Sequence, residues 1–282
     1  MQLTNLIHQL QIDFIVQFAP ERIVSRFVNV FVIFGEKITL VDTGVKGSEE
    51  QIFSYIVENG RTVSEIETVI LSHAHPDHIG AAARIKELTG CKVLAHELET
   101  DWIENIRLQE KQRPVPGFSN LVDRPVKVDE FLHHQQLLSI AAKSSLKILH
   151  TPGHSKGMVS LLFPEEKALF TADAIPLKND IPNYNNYSQL MQSLNQIRKN
   201  LNQNILLSSW APALQDKTEI EKLIADGETY LKQIGVAVKE NYLGKEAESF
   251  QFCKKTINQL GMPPFFVNPI VDSAFRSHLI TE

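Results

Sequence analysis

Of the ten histidines in this chain, eight fall between positions 73 and 154. Three of these stand in the string His73-Ala74-His75-Pro76-Asp77-His78, which constrains the fold more than any other feature. The string follows a continuous apolar run, Val69-Ile70-Leu71, that suits a strand covered on both faces, and it opens a segment of high helix propensity. In the extended chain leaving a strand, residues two apart point the same way, so His73 and His75 can address one ion. Pro76 turns the chain. Asp77 and His78 then sit where a helix begins, aimed differently, placed to serve a second ion about 3.5 Å from the first. The bland alternative is a solvated histidine-rich turn.

Three further segments supply donors of the same kind. Thr151-Pro152-Gly153-His154-Ser155-Lys156-Gly157 follows the strand-like Ser145-Leu146-Lys147-Ile148-Leu149-His150, and its small residues let the backbone bring His154 to the first ion as a third imidazole. Phe170-Thr171-Ala172-Asp173-Ala174 ends another apolar strand in a carboxylate, costly to bury alone and suited to bridging two cations. Leu40-Val41-Asp42-Thr43-Gly44 places Asp42 where it can accept the other N–H of a ligand histidine. Taken singly, each has a plainer reading: a structural histidine, a strand-end cap and an Asx turn.

The rest of the chain gives these motifs a frame. Val-, Ile- and Phe-rich strands run from Asp13 to Thr43, broken at Gly35 and Gly44. Residues 49–60 read as a helix stopped by Gly60, 67–73 as a strand, 77–90 as one helix ending at Gly90, and 91–96 as a short strand. This β-α-β-α order is an α/β signature. Residues 97–110 read as helical. Residues 111–136, with three prolines and no clear period, read as a long connecting loop and a candidate lid over a site. Strands resume over 144–150, 158–164 and 167–174, followed by a helix over 188–201 and a strand at 204–209. Beyond about residue 216 the pattern turns helical: Ile220, Leu223, Ile224, Leu231, Ile234 and Val238 form one stripe, and 245–261 adds a second helix. The division is a catalytic domain over 1–216 and a helical extension over 217–282, the latter a cap for the pocket or a contact in a homodimer.

Composition narrows the class. With 282 residues, 43% hydrophobic and 22% charged, the chain can bury a sizeable core. A net charge of −5 disfavours a nucleic-acid partner. Cys91 and Cys253 make no disulfide framework, no apolar run spans a membrane, and the first residues lack a basic start followed by an apolar stretch. The expected setting is cytoplasmic, with a small-molecule substrate and no membrane or nucleic acid.

HAHPDH, TPGHSKG, FTADA and LVDTG together resemble the metallo-β-lactamase superfamily, over roughly residues 12–215. The resemblance is specific for fold and weak for substrate. It implies an α/β (α+β) chain folded as an αββα four-layer sandwich, with metals at one edge of two packed sheets. Carried over residue by residue, the first metal site falls on His73, His75 and His154, and the second on Asp77, His78 and Asp173, with Asp173 bridging. The cofactor is one or two divalent ions, zinc first, with iron or manganese as alternatives. One position departs. Two-metal members usually present a last histidine after the final core strand, and here Trp210 stands in that place. The second ion is then left with three protein ligands, unless water or a distant His96, His134 or His278 completes it.

The implied activity is hydrolysis by a metal-bound hydroxide, with Asp77 as the catalytic proton carrier. A carboxylic ester, lactone or thioester is the favoured bond, in the manner of the glyoxalase II and lactonase branch. Lactonases of this size often carry a tyrosine three residues after the bridging aspartate. That position is Pro176, which leaves Tyr184 and Tyr187, with Trp210, as pocket candidates. The alternatives are a phosphodiesterase, a mononuclear-iron oxidoreductase like the sulfur dioxygenases, and a non-catalytic metal-binding protein.

Overall fold

The computed structural model describes all residues except 20, 203, 243–249 and 281–282. Its strands form two sheets. The first has six strands in the order β1 (Ile7–Ala19), β2 (Arg22–Phe34), β3 (Ile38–Val41), β4 (Ile66–Ile70), β5 (Lys92–His96) and β6 (Glu130–Leu132). The second runs in space from β11 (Ile205–Leu207) through β10 (Ala168–Phe170), β9 (Val159–Phe163) and β8 (Ser144–His150) to β7 (Leu137–Ala141). A long antiparallel hairpin, β1 with β2, opens the first sheet, and β3 to β6 then pair in parallel.

Alternation along β2 sorts the layers, because successive side chains on a strand point to opposite faces. Val28, Val30 and Val32 join a buried cluster with Ile52 and Ile56 of α1 (Ser48–Glu58) and Ile85 of α3 (Ala82–Thr89). Phe31 and Ile33 face the second sheet, where the Phe31 and Phe170 rings meet at 5.2 Å. The outer face of the second sheet is covered by Leu190, Leu194 and Ile197 of α7 (Tyr187–Lys199) and by Ile220, Ile224 and Leu231 of α8 (Lys217–Asn241). The result is helix, sheet, sheet, helix, the four-layer sandwich expected from the sequence.

Several local expectations are corrected. The first strand begins at Ile7 rather than near Asp13, since it pairs with β2 up to Ile33. The helix expected over 77–90 is two, α2 (Pro76–Ile79) and α3. It breaks at Gly80, whose N–H donates to Gly44 and whose carbonyl accepts from Asp123. A Cβ at Gly80 would lie 2.3 Å from the Leu121 carbonyl oxygen, so only glycine passes between these segments. Residues 97–110 fold as short pieces that include α4 (Thr100–Ile103) and the start of α5 (Ile106–Gln112). The supposed loop 111–136 contains α6 (Phe118–Leu121), with Phe118 and Leu121 buried, and edge strand β6. Strand β7 has no counterpart among the sequence expectations.

Past α8, the part of the expected second helix at 245–249 lies outside the described residues. The remainder is α9 (Gln251–Gln259), followed by α10 (Pro269–Arg276). These pack with the second half of α8 around Phe252, Ile257, Val271 and Phe275. Among the described residues no helix is long and apolar enough to cross a membrane.

Candidate metal centre

The motifs singled out in the sequence sit past the ends of β3, β4, β8 and β10, and these four loops converge at one edge of the sandwich. Backbone hydrogen bonds tie them to one another and to the neighbouring strand: Thr43 N donates to His78 O at 2.8 Å, and Val159 N of β9 to Ser72 O at 2.9 Å. Two of the loops hold non-glycine residues in the left-handed region, Asp42 at φ 61° and Ala172 at φ 46°. Such conformations cost energy and persist where the surroundings fix them.

His73, His75, His154 and Asp173 each offer one ligand atom, and these four atoms lie within 4.8 Å of one another. His154 Nε2 is 2.8 Å from His75 Nδ1 and 3.3 Å from Asp173 Oδ2, while His73 Nε2 lies 3.9 Å from that oxygen. Asp77 and His78 adjoin this group from the other side. His78 Nε2 is 3.3 Å from Asp77 Oδ2 and 3.5 Å from Asp173 Oδ1, so the two oxygens of Asp173 face different histidines. His73 Nε2, His78 Nε2, Asp77 Oδ2 and Asp173 Oδ1 are all buried without a hydrogen-bond partner. Buried polar atoms are normally satisfied, so this convergence of unpaired acceptors fits divalent cations.

Asp42 fixes the histidine tautomers. Its Oδ2 lies 2.8 Å from His78 Nδ1 and also accepts from Ser72 Oγ at 2.8 Å, while Oδ1 accepts from Ser72 N at 2.7 Å. Ser72 Oγ spends its proton on Asp42, so at 3.0 Å it accepts from His73 Nδ1. Both histidines thereby turn Nε2 towards the site.

The electrostatics follow from burial. His73 and His75 are pushed well below the ordinary histidine value by desolvation, and His154 to about 4 by the same cause. Burial opposes charge on His78 too, yet Asp77, Asp173 and Asp42 together hold it well above the ordinary value. Asp173 is shifted down because His78 and His154 outweigh its desolvation.

Sequence reasoning missed three residues. Glu99 is buried, and burial raises its pKa. Its Oε2 accepts from Ala74 N at 2.8 Å, and its Oε1 from Ser155 Oγ at 2.7 Å and Gly157 N at 2.6 Å. One carboxylate thus clamps the His73–His75 segment to the His154 turn. Gln109, fully buried, donates to the Ala74 carbonyl. Arg113 donates from Nη2 to Asn183 Oδ1 at 2.7 Å, and burial lowers its pKa to about 10, which leaves it cationic at neutral pH. Nothing local in the sequence marks these three, because their partners are 25 to 70 residues away.

Trp210 stands at the cluster as a hydrogen-bond donor. Its Nε1 gives 2.9 Å to Asp173 Oδ2, with Arg26 stacked on the ring at 4.4 Å. The three distant histidines are placed elsewhere. His96 stacks on His150 at 4.2 Å, His134 Nδ1 accepts from His150 N, and His278 lies 2.7 Å from Tyr184 Oη. Tyr184 lines a small cavity of about 70 Å³ beside His154 and Asp173, but its hydroxyl is engaged by His278. Tyr187 stacks its ring on His278 at 4.0 Å and lines a separate cavity with Met191 and Lys232.

A larger cavity, about 880 Å³, opens on Asp77, Arg113 and Trp210. Its other walls come from the β1–β2 hairpin, from residues 114–116 and from residues 265–270 of the helical extension. Part of the supposed lid segment therefore forms a wall of the site.

Known proteins resemble this chain in sequence and in fold. A probable metallo-hydrolase of Methanocaldococcus jannaschii is 26% identical over 147 residues, covering 52% of this chain and 66% of that protein. A hydroxyacylglutathione hydrolase of Hyphomonas neptunium is 28% identical over 121 residues, covering 43% of this chain and 38% of that protein. The matched stretch is thus two thirds or less of these relatives. Among solved structures, a metallo-beta-lactamase family protein of Thermus thermophilus superposes with a TM-score of 0.66 at 18% identity, over 95% of this chain and 91% of that one. A subclass B3 metallo-beta-lactamase of Bradyrhizobium japonicum gives 0.59 at 21% identity, over 76% and 88%. Residues 24–209, which hold every ligand candidate, match the sequence profile of the metallo-beta-lactamase superfamily, and the chain belongs to that superfamily.

Proposed function

We propose that the chain is a metal-dependent hydrolase of a carboxylic ester, lactone or thioester of a small molecule. The observation that carries this reading is the set of unpaired buried acceptors, His73 Nε2, His78 Nε2, Asp77 Oδ2 and Asp173 Oδ1, beside a cavity of substrate size. His73, His75 and His154 would hold one ion, and Asp77, His78 and Asp173 a second, with Asp173 between them. When bound, divalent ions of this kind supply a nucleophile at neutral pH and polarise the bond under attack. The protein's own residues do the rest. Asp42 keeps His73 and His78 in the tautomer that faces the site, and Glu99 holds the two histidine loops in register. Asp77 is the metal-edge carboxylate in the lining of the large cavity, so it is placed to take a proton and deliver it to a leaving group. Thioester cleavage gains support from the hydroxyacylglutathione hydrolase relatives.

A single-ion reading, which includes an iron oxidoreductase, is favoured by one observation. Trp210 donates to Asp173 Oδ2, and an indole N–H cannot ligate. Elemental analysis of protein purified without added metal separates the two. Two zinc or manganese ions per chain support the hydrolase; one iron overturns it. A panel of esters, lactones, thioesters and phosphodiesters run on the same protein should show one responsive class, lost in His73→Ala. An unchanged panel in that variant removes the catalytic assignment.

A further inference from the structure

The large cavity has a composition that the hydrolase reading does not by itself require. Away from the metal edge its walls are apolar: Phe14 and Val24 from the β1–β2 hairpin, Val115, and Phe265, Phe266 and Ile270 from the helical extension. Its charged groups are few. Arg26 and Asp180 neutralise each other through two contacts of 3.1 Å. Asp77 belongs to the metal edge. Arg113 remains, with a single side-chain hydrogen bond among the described residues, to Asn183. A guanidinium carries five donors in a planar fork suited to a carboxylate, so most of this fork is open to a ligand. An apolar chamber with one cation at its reactive end selects an amphipathic anion.

Resting on the hydrolase reading, we propose that the substrates join an alkyl chain of about eight carbons or more, through an ester or thioester, to a short acid bearing a free carboxylate. The chain lies along the apolar walls towards the start of α10, and the carboxylate bonds Arg113 beside the scissile bond at Asp77. The helical extension then acts in substrate choice, since three of the named apolar residues are its own.

The test uses zinc-loaded full-length protein and N-alkylsuccinamates with chains of 4, 8 and 12 carbons, whose amide replaces the ester. Calorimetry should give affinity rising about two- to fourfold per added methylene until the cavity is filled. Arg113→Met should weaken the whole series about tenfold or more, with part of the loss restored by Arg113→Lys. The neutral methyl esters of the same probes should bind weakly and be indifferent to Arg113→Met. Ile270→Trp, which narrows the chamber, should cost the 12-carbon probe more than the 4-carbon one. Equal affinity across chain lengths, or equal losses for charged and neutral probes, overturns the proposal. If Arg113→Met fails to fold, Arg113→Lys and the charged-against-neutral comparison on the parent protein still decide. Turnover of the corresponding monoalkyl succinates is read separately. Binding as expected without turnover leaves the chamber assignment and overturns the hydrolase reading; turnover without chain or charge preference does the reverse.

Discussion

Asp42 and Trp210 act on the same metal edge in opposite senses. Asp42 prepares ligands: it accepts from His78 directly and orients His73 through Ser72, so that Nε2 of each ring points into the site. Removing such an orienting partner typically costs ten- to a hundredfold in metal affinity. Asp42→Ala should therefore weaken zinc binding by about that factor in a chelator competition, with the ligand residues themselves intact. Trp210 withholds a ligand, because its N–H engages Asp173 Oδ2 and offers no lone pair. Trp210→His should raise the affinity for a second zinc ion, seen as a second equivalent retained after dialysis against dilute chelator. If stoichiometry is the same in both proteins, Trp210 does not limit the second site. Asp42 could be suspected from Leu40-Val41-Asp42-Thr43-Gly44 alone, whereas the Trp210 contact depends on Asp173, 37 residues distant, and only the fold reveals it.

At the scale of elements, α8 owes an irregular feature to a partner far along the chain. Gly235 lies in mid-helix, where glycine costs about 1 kcal/mol relative to alanine. A Cβ there would meet His278 Nδ1 at 2.9 Å, so the glycine makes room for the His278 ring, which also contacts Tyr184 and Tyr187. Burial, with Lys239 adding, lowers His278 to about 4. In the unfolded chain it would titrate near 6.5. Between these values the unfolded state takes up a proton that the folded state refuses, so stability falls as pH drops from about 6.5 towards 4. His278→Gln should remove this component, and its melting temperature should fall less between pH 7 and pH 5 than the parent's, both measured with zinc present. An identical pH slope would show that His278 titrates alike in both states. The elements legible in the sequence are those with a strong apolar run or period of their own, β2, β4, α7 and α8. The helix break at Gly80 and the short elements α6, β6 and β7 were not, because each is set by contacts with distant backbone: Gly80 with Gly44 and Asp123, β6 with β5.

For the whole molecule, the division at residue 216 suggested by the change to a helical sequence pattern meets a shared core. Ile220, Ile224 and Leu231 of α8 pack in the same cluster as Leu190 and Leu194 of α7 and Phe170 of β10. Tyr230 Oη donates to Asp180 O at 2.6 Å, and Arg198 pairs with Glu228 at 2.9 Å. From Tyr230 onward the extension also builds a second cluster around Phe252 and Phe275, while Ala274 of α10 still packs in the shared core. A fully buried Ile replaced by Ala leaves a cavity and costs about 2–5 kcal/mol. Ile224→Ala, at 0% exposure, should thus lower the melting temperature of the whole protein by about 5–15 °C in one transition. If the extension were an independent unit, the same variant would instead split the melt and leave the zinc-bound transition in place. Cutting the chain after Asp216 removes three such side chains at once, a loss comparable to the total stability of a typical domain. The truncated chain should show no cooperative melt and retain no zinc. A truncated chain that melts near the parent temperature would mean that the sandwich closes without α8, and that the extension only lines the chamber in which Phe265, Phe266 and Ile270 meet Arg113.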